Sequence, residues 1–156
     1  MTGEHGQDDA VTDDEPNWAD MTTADLVDLA LGDDLWLNAP ALSHLGDRSP
    51  EAARSVALEA LQRSDPLLTA TALRVLARVD LDAALDYMRR TAPSWPLRVL
   101  DVMVEILAVD YPISFDRAPN LLSQIAQRLS VPANSEEYNL ADLLYRQYPQ
   151  LRPRIR

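Results

Sequence analysis

Apolar residues recur at three- and four-residue spacing along most of this chain, and a polar cap or a proline opens most of the runs. Leu26, Leu29 and Ala30 follow Thr22, whose hydroxyl is placed to cap a first turn, with Asp25 three residues on and Gly32 as a stop. Asp33 and Asp34 open a second segment through Leu35, Trp36 and Leu37. The apolar run Ala39–Leu45 predicts a helix that starts near Pro40, where the missing donor costs nothing, and ends at Gly46. Ser49-Pro50-Glu51 is another start, and Ala53, Val56, Ala57, Ala60 and Leu61 lay a stripe on one face of the helix it opens. Asp65-Pro66 opens a helix that is apolar nearly all round, with only Thr71, Arg74 and Arg78 as a polar stripe.

Asp80 and Asp82 precede a shorter helix with Ala84, Leu85 and Met88 inward and Asp86, Arg89 and Arg90 outward, broken by Pro93. Pro96–Val109 is the most hydrophobic stretch. Only Arg98, Asp101 and Glu105 face water in it, one above another, and it is expected to be the central helix. After a connection over Tyr111–Pro119, Leu121, Leu122, Ile125, Ala126 and Leu129 mark a further helix. Asn134 or Ser135 caps the last one, with Glu136 and Glu137 in its first turn and Leu140, Ala141, Leu144 and Tyr148 inward. No segment alternates with β-branched enrichment. The fold class is therefore all-α: a small α-solenoid of about seven or eight helices stacked as antiparallel pairs.

Two stretches repeat each other. SDPLLTATALRVLARVD (Ser64–Asp80) lies over SWPLRVLDVMVEILAVD (Ser94–Asp110) at a constant offset of 30 residues, with Ser, Pro, Leu, Val and Asp coinciding at both ends. A repeated helix that cannot bury its apolar surface alone must stack on a neighbour. SPEAARSVALEALQRSD (Ser49–Asp65) and SDPLLTATALRVLARVDLDAALDYMRR (Ser64–Arg90) resemble HEAT-like repeats of the short kind found in phycobilisome-lyase-type proteins. The shared features are a polar-proline start, alanine-rich interior turns, an aspartate after the first helix and a shorter second helix. The resemblance covers roughly Ser49 to Leu129 and implies an α-solenoid with a binding role.

Charge changes the picture at one end only. All 14 basic residues are arginine, and the absence of lysine excludes Schiff-base chemistry and a P-loop; coding bias in a GC-rich genome accounts for it. Met1–Trp36 holds 11 of the 25 acids and no arginine, so the net charge of -11 comes from that quarter and the rest is balanced. The expected domains are a disordered acidic tail over 1–20, one helical-repeat domain over 21–149 and a basic C-terminal tail over 150–156. Trp18, flanked by acids, can dock on a partner or fold back onto the body, and fold-back is expected. The charge disfavours nucleic acid and suits a basic protein partner. Cysteine is absent, no apolar run is long enough to span a bilayer, and a cytoplasmic, membrane-free protein is expected.

Catalytic chemistry finds little support. His44 beside Ser43 lacks a third group and an oxyanion site, and reads as a structural histidine; His5 lies in the tail. Asp13-Asp14-Glu15 and Asp33-Asp34 lack the spacing and glycine of a calcium loop and read as solvated charge, with a helix start as a second use of Asp33-Asp34. Trp36 and Trp95 adjoin apolar runs and are expected to pack between helices. No catalytic residue, metal or cofactor is assigned.

The expectation is a non-catalytic protein-binding module, of the kind bacteria keep as immunity proteins against their own, often basic, toxins. Its candidate contact residues are Asp33, Asp34, Trp36, Asp82, Asp86, Asp101 and Glu105. One alternative is a small-ligand or cofactor-binding enzyme accessory of the HEAT-like lyase type, with Tyr87, Arg90 and Trp95 as its raw material. Another is a structural homo-oligomer, such as a homodimer sharing Pro96–Val109.

Overall fold

The computed structural model describes residues 16–63, 65–91 and 95–153. The acidic tail up to Glu15, with His5, and the breaker Pro93 lie outside the described residues, as do Arg154 and Arg156. The described chain is all-helical: α1 (Thr23–Ala30), α2 (Leu35–Arg48), α3 (Pro50–Ala60), α4 (Pro66–Val79), α5 (Leu81–Thr91), α6 (Leu97–Glu105), α7 (Pro119–Arg128) and α8 (Ser135–Gln147). Short 3-10 turns stand at Trp18–Asp20, Phe115–Arg117 and Pro149–Leu151, and a π-helical turn over Ile106–Asp110 prolongs α6.

Alternate helices form a row. α2 packs on α4, α4 on α6, and α6 on α8. α1 packs on α2 and α3, α3 on α2 and α4, and α5 on α4. This is the helical-repeat stack that the offset of 30 residues implies, because each helix of the row buries its apolar side on the next. One apolar cluster runs through it, from Leu26 and Leu42 through Leu73 and Leu100 to Leu122 and Leu144.

Local chemistry sets the helix starts. Thr22 Oγ1 accepts the Asp25 N–H at 3.0 Å while the Asp25 carboxylate accepts the Thr22 N–H, a complete capping box. Ser49 caps α3, Asp65 caps α4, and each of these two helices has proline at its first position. Asp80 Oδ1 accepts the Ala83 N–H at 3.1 Å and opens α5. Asn134, rather than Ser135, caps α8 by accepting the Glu137 N–H at 2.9 Å. The Glu137 carboxylate is buried, accepts the Ala133 N–H at 3.1 Å, and lies 3.9 Å from Arg128, so it does more than meet the helix dipole.

Four details differ from the pattern-based expectation. α2 begins at Leu35, not near Pro40, because the Asp34 carboxylate accepts the Trp36 N–H at 3.1 Å and caps it there. Pro40 then sits inside the helix, and only the carbonyl of exposed Trp36 loses its donor. Gly46 does not end α2, which continues to Arg48. It marks the crossing with α4: a Cβ built there would lie 2.1 Å from Arg78 Nη2 and 3.3 Å from Val75 Cγ1. The helix with the most neighbours in the stack is α4, packed against α2, α3, α5 and α6, rather than Pro96–Val109. That stretch is also not one regular helix. Tyr111 N–H bonds back five residues to Ile106 O at 2.8 Å, which widens the last turn.

Candidate functional site

The row α2–α4–α6 offers the surface most suited to binding. Along α2, residues 36, 40, 43 and 47 share a side; along α4, residues 67, 71, 74 and 78 do the same. Together they line two adjoining hollows that meet at Ser43. The first, about 370 Å³, is apolar and is formed by Leu35, Trp36, Ala39, Pro40, Leu67 and Thr71 at the N-terminal ends of α2 and α4. The second, about 260 Å³, is charged and runs from His44 and Asp47 past Arg74 and Arg78 to Asp110 and Tyr111. The π-helical turn brings Asp110 to its rim.

Trp36 is the clearest departure from expectation. It is 88% exposed, not packed between helices. Leu35 and Leu67 beside it are 60% and 49% exposed. Three large apolar side chains thus stand in water around one hollow, whereas scattered single ones would call for no explanation. Trp95 behaves as expected: it is buried, and its Nε1 donates to Thr91 Oγ1 at 2.8 Å.

In the charged hollow every arginine is tied down. Arg78 pairs with Asp47 at 2.9 Å, and Arg74 pairs with Glu105 across from α6. His44 stacks under Trp18, with ring centroids 4.9 Å apart and planes 13° from parallel. Arg48 donates to the carbonyls of Trp18 and Met21 and holds that segment down. Trp18 therefore folds back onto the body, as expected.

The seven candidate contact residues fall on different parts of the stack. Asp33, Asp34 and Trp36 sit together at the start of α2, beside the apolar hollow. Asp101 and Glu105 lie on α6, within the row. Asp82 and Asp86 lie on α5, outside it; Asp82 pairs with Arg117, and Asp86 pairs with Arg90 at 3.4 Å, one turn along. Asp33, Asp34 and Asp101 have no ion-pair partner among the described residues. Pattern reading missed Leu35 and Leu67. Leu67 occupies the second position of a helix that is apolar on nearly every side, and its spacing gives no sign that this side lacks a neighbour.

A second cavity of about 260 Å³ lies between α4, α5 and α6 and is lined by Arg63, Thr69, Tyr87, Thr91, Trp95 and Val99. Tyr87 and Trp95 both line it, whereas Arg90 does not and lies over the Tyr87 ring, 5.9 Å from its centre. Burial pushes the Tyr87 phenol above its ordinary range, partly offset by the Arg90 charge. Three of the polar side chains in this cavity are already engaged. Thr91 and Trp95 bond to each other, and Arg63 donates to the carbonyls of Leu31 and Gly32.

Among the described residues, no three His, Asp or Glu side chains come together in a way that could hold a metal ion. No described helix is long and apolar enough to cross a membrane. Compared with protein-family models, with curated proteins and with solved structures, the chain matches none.

Proposed function

We propose that this protein is a non-catalytic protein-binding module of the HEAT-like repeat type, working in the bacterial cytoplasm as an immunity-type protein that neutralises a basic toxin. The observation that carries the reading is the exposed apolar hollow on the α2–α4 row, with Trp36 almost wholly in water. Solenoids grip partners through the continuous face that one helix of each pair provides. Aromatic anchors at such a face carry much of the binding energy when they become buried. The excess of acids over the first 36 positions adds a field that speeds the approach of a basic partner.

A small-ligand reading draws support from the cavity beside Tyr87 and Trp95. It has less behind it, because Arg63, Thr91 and Trp95 already serve neighbouring groups and do not converge on a ligand.

The test is affinity capture from the native host with the tagged chain, at low and at high salt, followed by a binding measurement with the purified candidate. A basic protein that binds directly and loses affinity as salt rises is the expected result. If no retained protein binds the purified chain at either salt, the reading fails.

A further inference from the structure

We infer that the hollow between the N-terminal ends of α2 and α4 is the docking point for a partner segment that carries one bulky apolar side chain flanked by arginine or lysine. The inference rests on the protein-binding reading and specifies where and what that binding grips.

The walls are apolar: Leu35, Trp36 and Pro40 from α2 and Leu67 from α4. Both helices are anchored in the core immediately behind them, through Leu42 and Leu45 on α2 and Leu68 and Leu73 on α4. The hollow is therefore carried by rigid elements and needs no ordering to receive a side chain. Trp36 contributes little burial to the fold, whereas a side chain seated against it would remove its ring from water.

The rim decides the sign of the partner. Asp34 and Asp65 cap the two helices, accepting the N–H of Trp36 and of Leu67, each at 3.1 Å. Their charges are spent in part on the helix dipoles, which would otherwise make this end attractive to anions. Asp33 is exposed and adds a further negative charge beside them. Arg63 approaches this end, but its guanidinium is turned onto the carbonyls of Leu31 and Gly32. The hollow is thus apolar inside and negative at its edge. An acidic segment would meet like charge. A second copy of this chain would bring its own aspartates against these. An anionic lipid surface is disfavoured for the same reason.

The experiment selects binders of the full-length chain from a random 16-residue peptide library. Affinities of the selected peptides are then compared for the native chain, Trp36→Ala and the double variant Asp33→Asn with Asp34→Asn. Asparagine still caps a helix and Trp36 is not in the core, so both variants should stay folded. Trp36→Ala should melt as the native chain does, and the double variant should melt slightly lower, losing only the charge–dipole contribution. The expected peptides carry a leucine, phenylalanine or tryptophan next to arginine or lysine. Trp36→Ala should weaken them by about tenfold or more. The double variant should weaken them less and flatten the salt dependence. Acidic selected peptides, an empty selection, or peptides that bind Trp36→Ala as tightly as the native chain would overturn the inference. A captured host protein that binds natively but ignores Trp36→Ala would sink this docking point and leave the protein-binding reading standing. If host capture also yields no direct binder, it is that reading that falls.

Discussion

The Tyr148 hydroxyl donates to the Leu107 carbonyl at 2.7 Å, across 41 residues of chain. It also accepts the Ile113 N–H at 3.1 Å, with the Ile113 carbonyl 2.8 Å away. The bond fills a gap in the backbone. Tyr111 N–H goes to Ile106, and the next residue, Pro112, has no N–H to offer Leu107. The phenol at the end of α8 supplies the missing donor and ties the last helix to the π-helical turn after α6. Burial holds the Tyr148 phenol above its ordinary range, only partly offset by its bond to the Ile113 N–H.

Tyr148→Phe should therefore destabilise the protein by about 1–3 kcal/mol, because it strands buried backbone groups and not merely one hydroxyl. Urea unfolding of both proteins measures it. Amide exchange should quicken most over residues 106–113 and along α8. Equal midpoints for the two proteins would show that water replaces the phenol.

Much of this fold was legible in the sequence. The caps at Thr22, Ser49, Asp65 and Asn134 were readable because a hydroxyl, carboxylate or amide before an apolar run has one dominant local use. The repeat offset gave the stacking of α4 and α6. What periodicity could not show is which apolar side lacks a neighbour. Trp36 and Leu67 have helical spacing identical to that of core residues, and only the path of the neighbouring helices leaves them in water. Gly46 misled for a related reason. A glycine near a helix end reads as a stop, but its use here is to let α4 approach. The charge pairing of Asp82, Glu105 and Asp47 is set by residues about 31 to 35 positions away and has no local signature.

Asp80 joins two adjacent repeats. Its carboxylate caps α5 and also receives Arg54 from α3 at 2.7 Å. The Arg54 bond, followed by the Ala83 N–H, holds its pKa below the usual carboxylate value of 3.8. A carboxyl with a depressed folded pKa adds stability that is fully present above its unfolded pKa. That stability is lost as pH falls through the folded value. Between pH 5 and pH 2 the native chain should lose stability more steeply than Asp80→Asn, which keeps a cap but cannot ionise. At pH 7, Asp80→Ala should cost about 1–2 kcal/mol, more than Asp80→Asn. Denaturant midpoints across that pH range read both effects, and parallel acid limbs would refute the assignment.

The C-terminus of α1 depends on two side chains from elsewhere. Asn38, almost wholly buried, donates to Leu29 O at 2.7 Å and to Gly32 O at 3.1 Å, and Arg63 donates to the carbonyls of Leu31 and Gly32. Asn38→Ala should cost about 1 kcal/mol by taking the side-chain donor from Leu29 O, while Gly32 O keeps Arg63. In a stack, the loss should be concentrated at one end. Exchange protection should fall first over residues 23–31 and leave α6 to α8 unchanged. Uniform loss of protection along the chain would mean that the stack unfolds as a single unit.

Gly46 allows a graded test of the α2–α4 crossing. An alanine Cβ meets the far end of Arg78, a flexible and half-exposed side chain, so the guanidinium can swing away at the expense of its pairing with Asp47. That pairing is exposed and worth roughly 0–1 kcal/mol. Alanine also regains about 1 kcal/mol of helix propensity over glycine within α2. The two effects nearly cancel, and Gly46→Ala should stay within about 1 kcal/mol of the native chain. Gly46→Val has no such escape. Its methyls press on Val75 Cγ1, already 3.3 Å from the position of the added Cβ, and Val75 is held in the core of α4. Overpacking of that kind costs about 1–3 kcal/mol. Thermal unfolding of the two variants should therefore separate them, with alanine near the native midpoint and valine well below it. A large loss with alanine alone would mean that Arg78 cannot move, and that its bond to Asp47 is part of the fold and not of its surface.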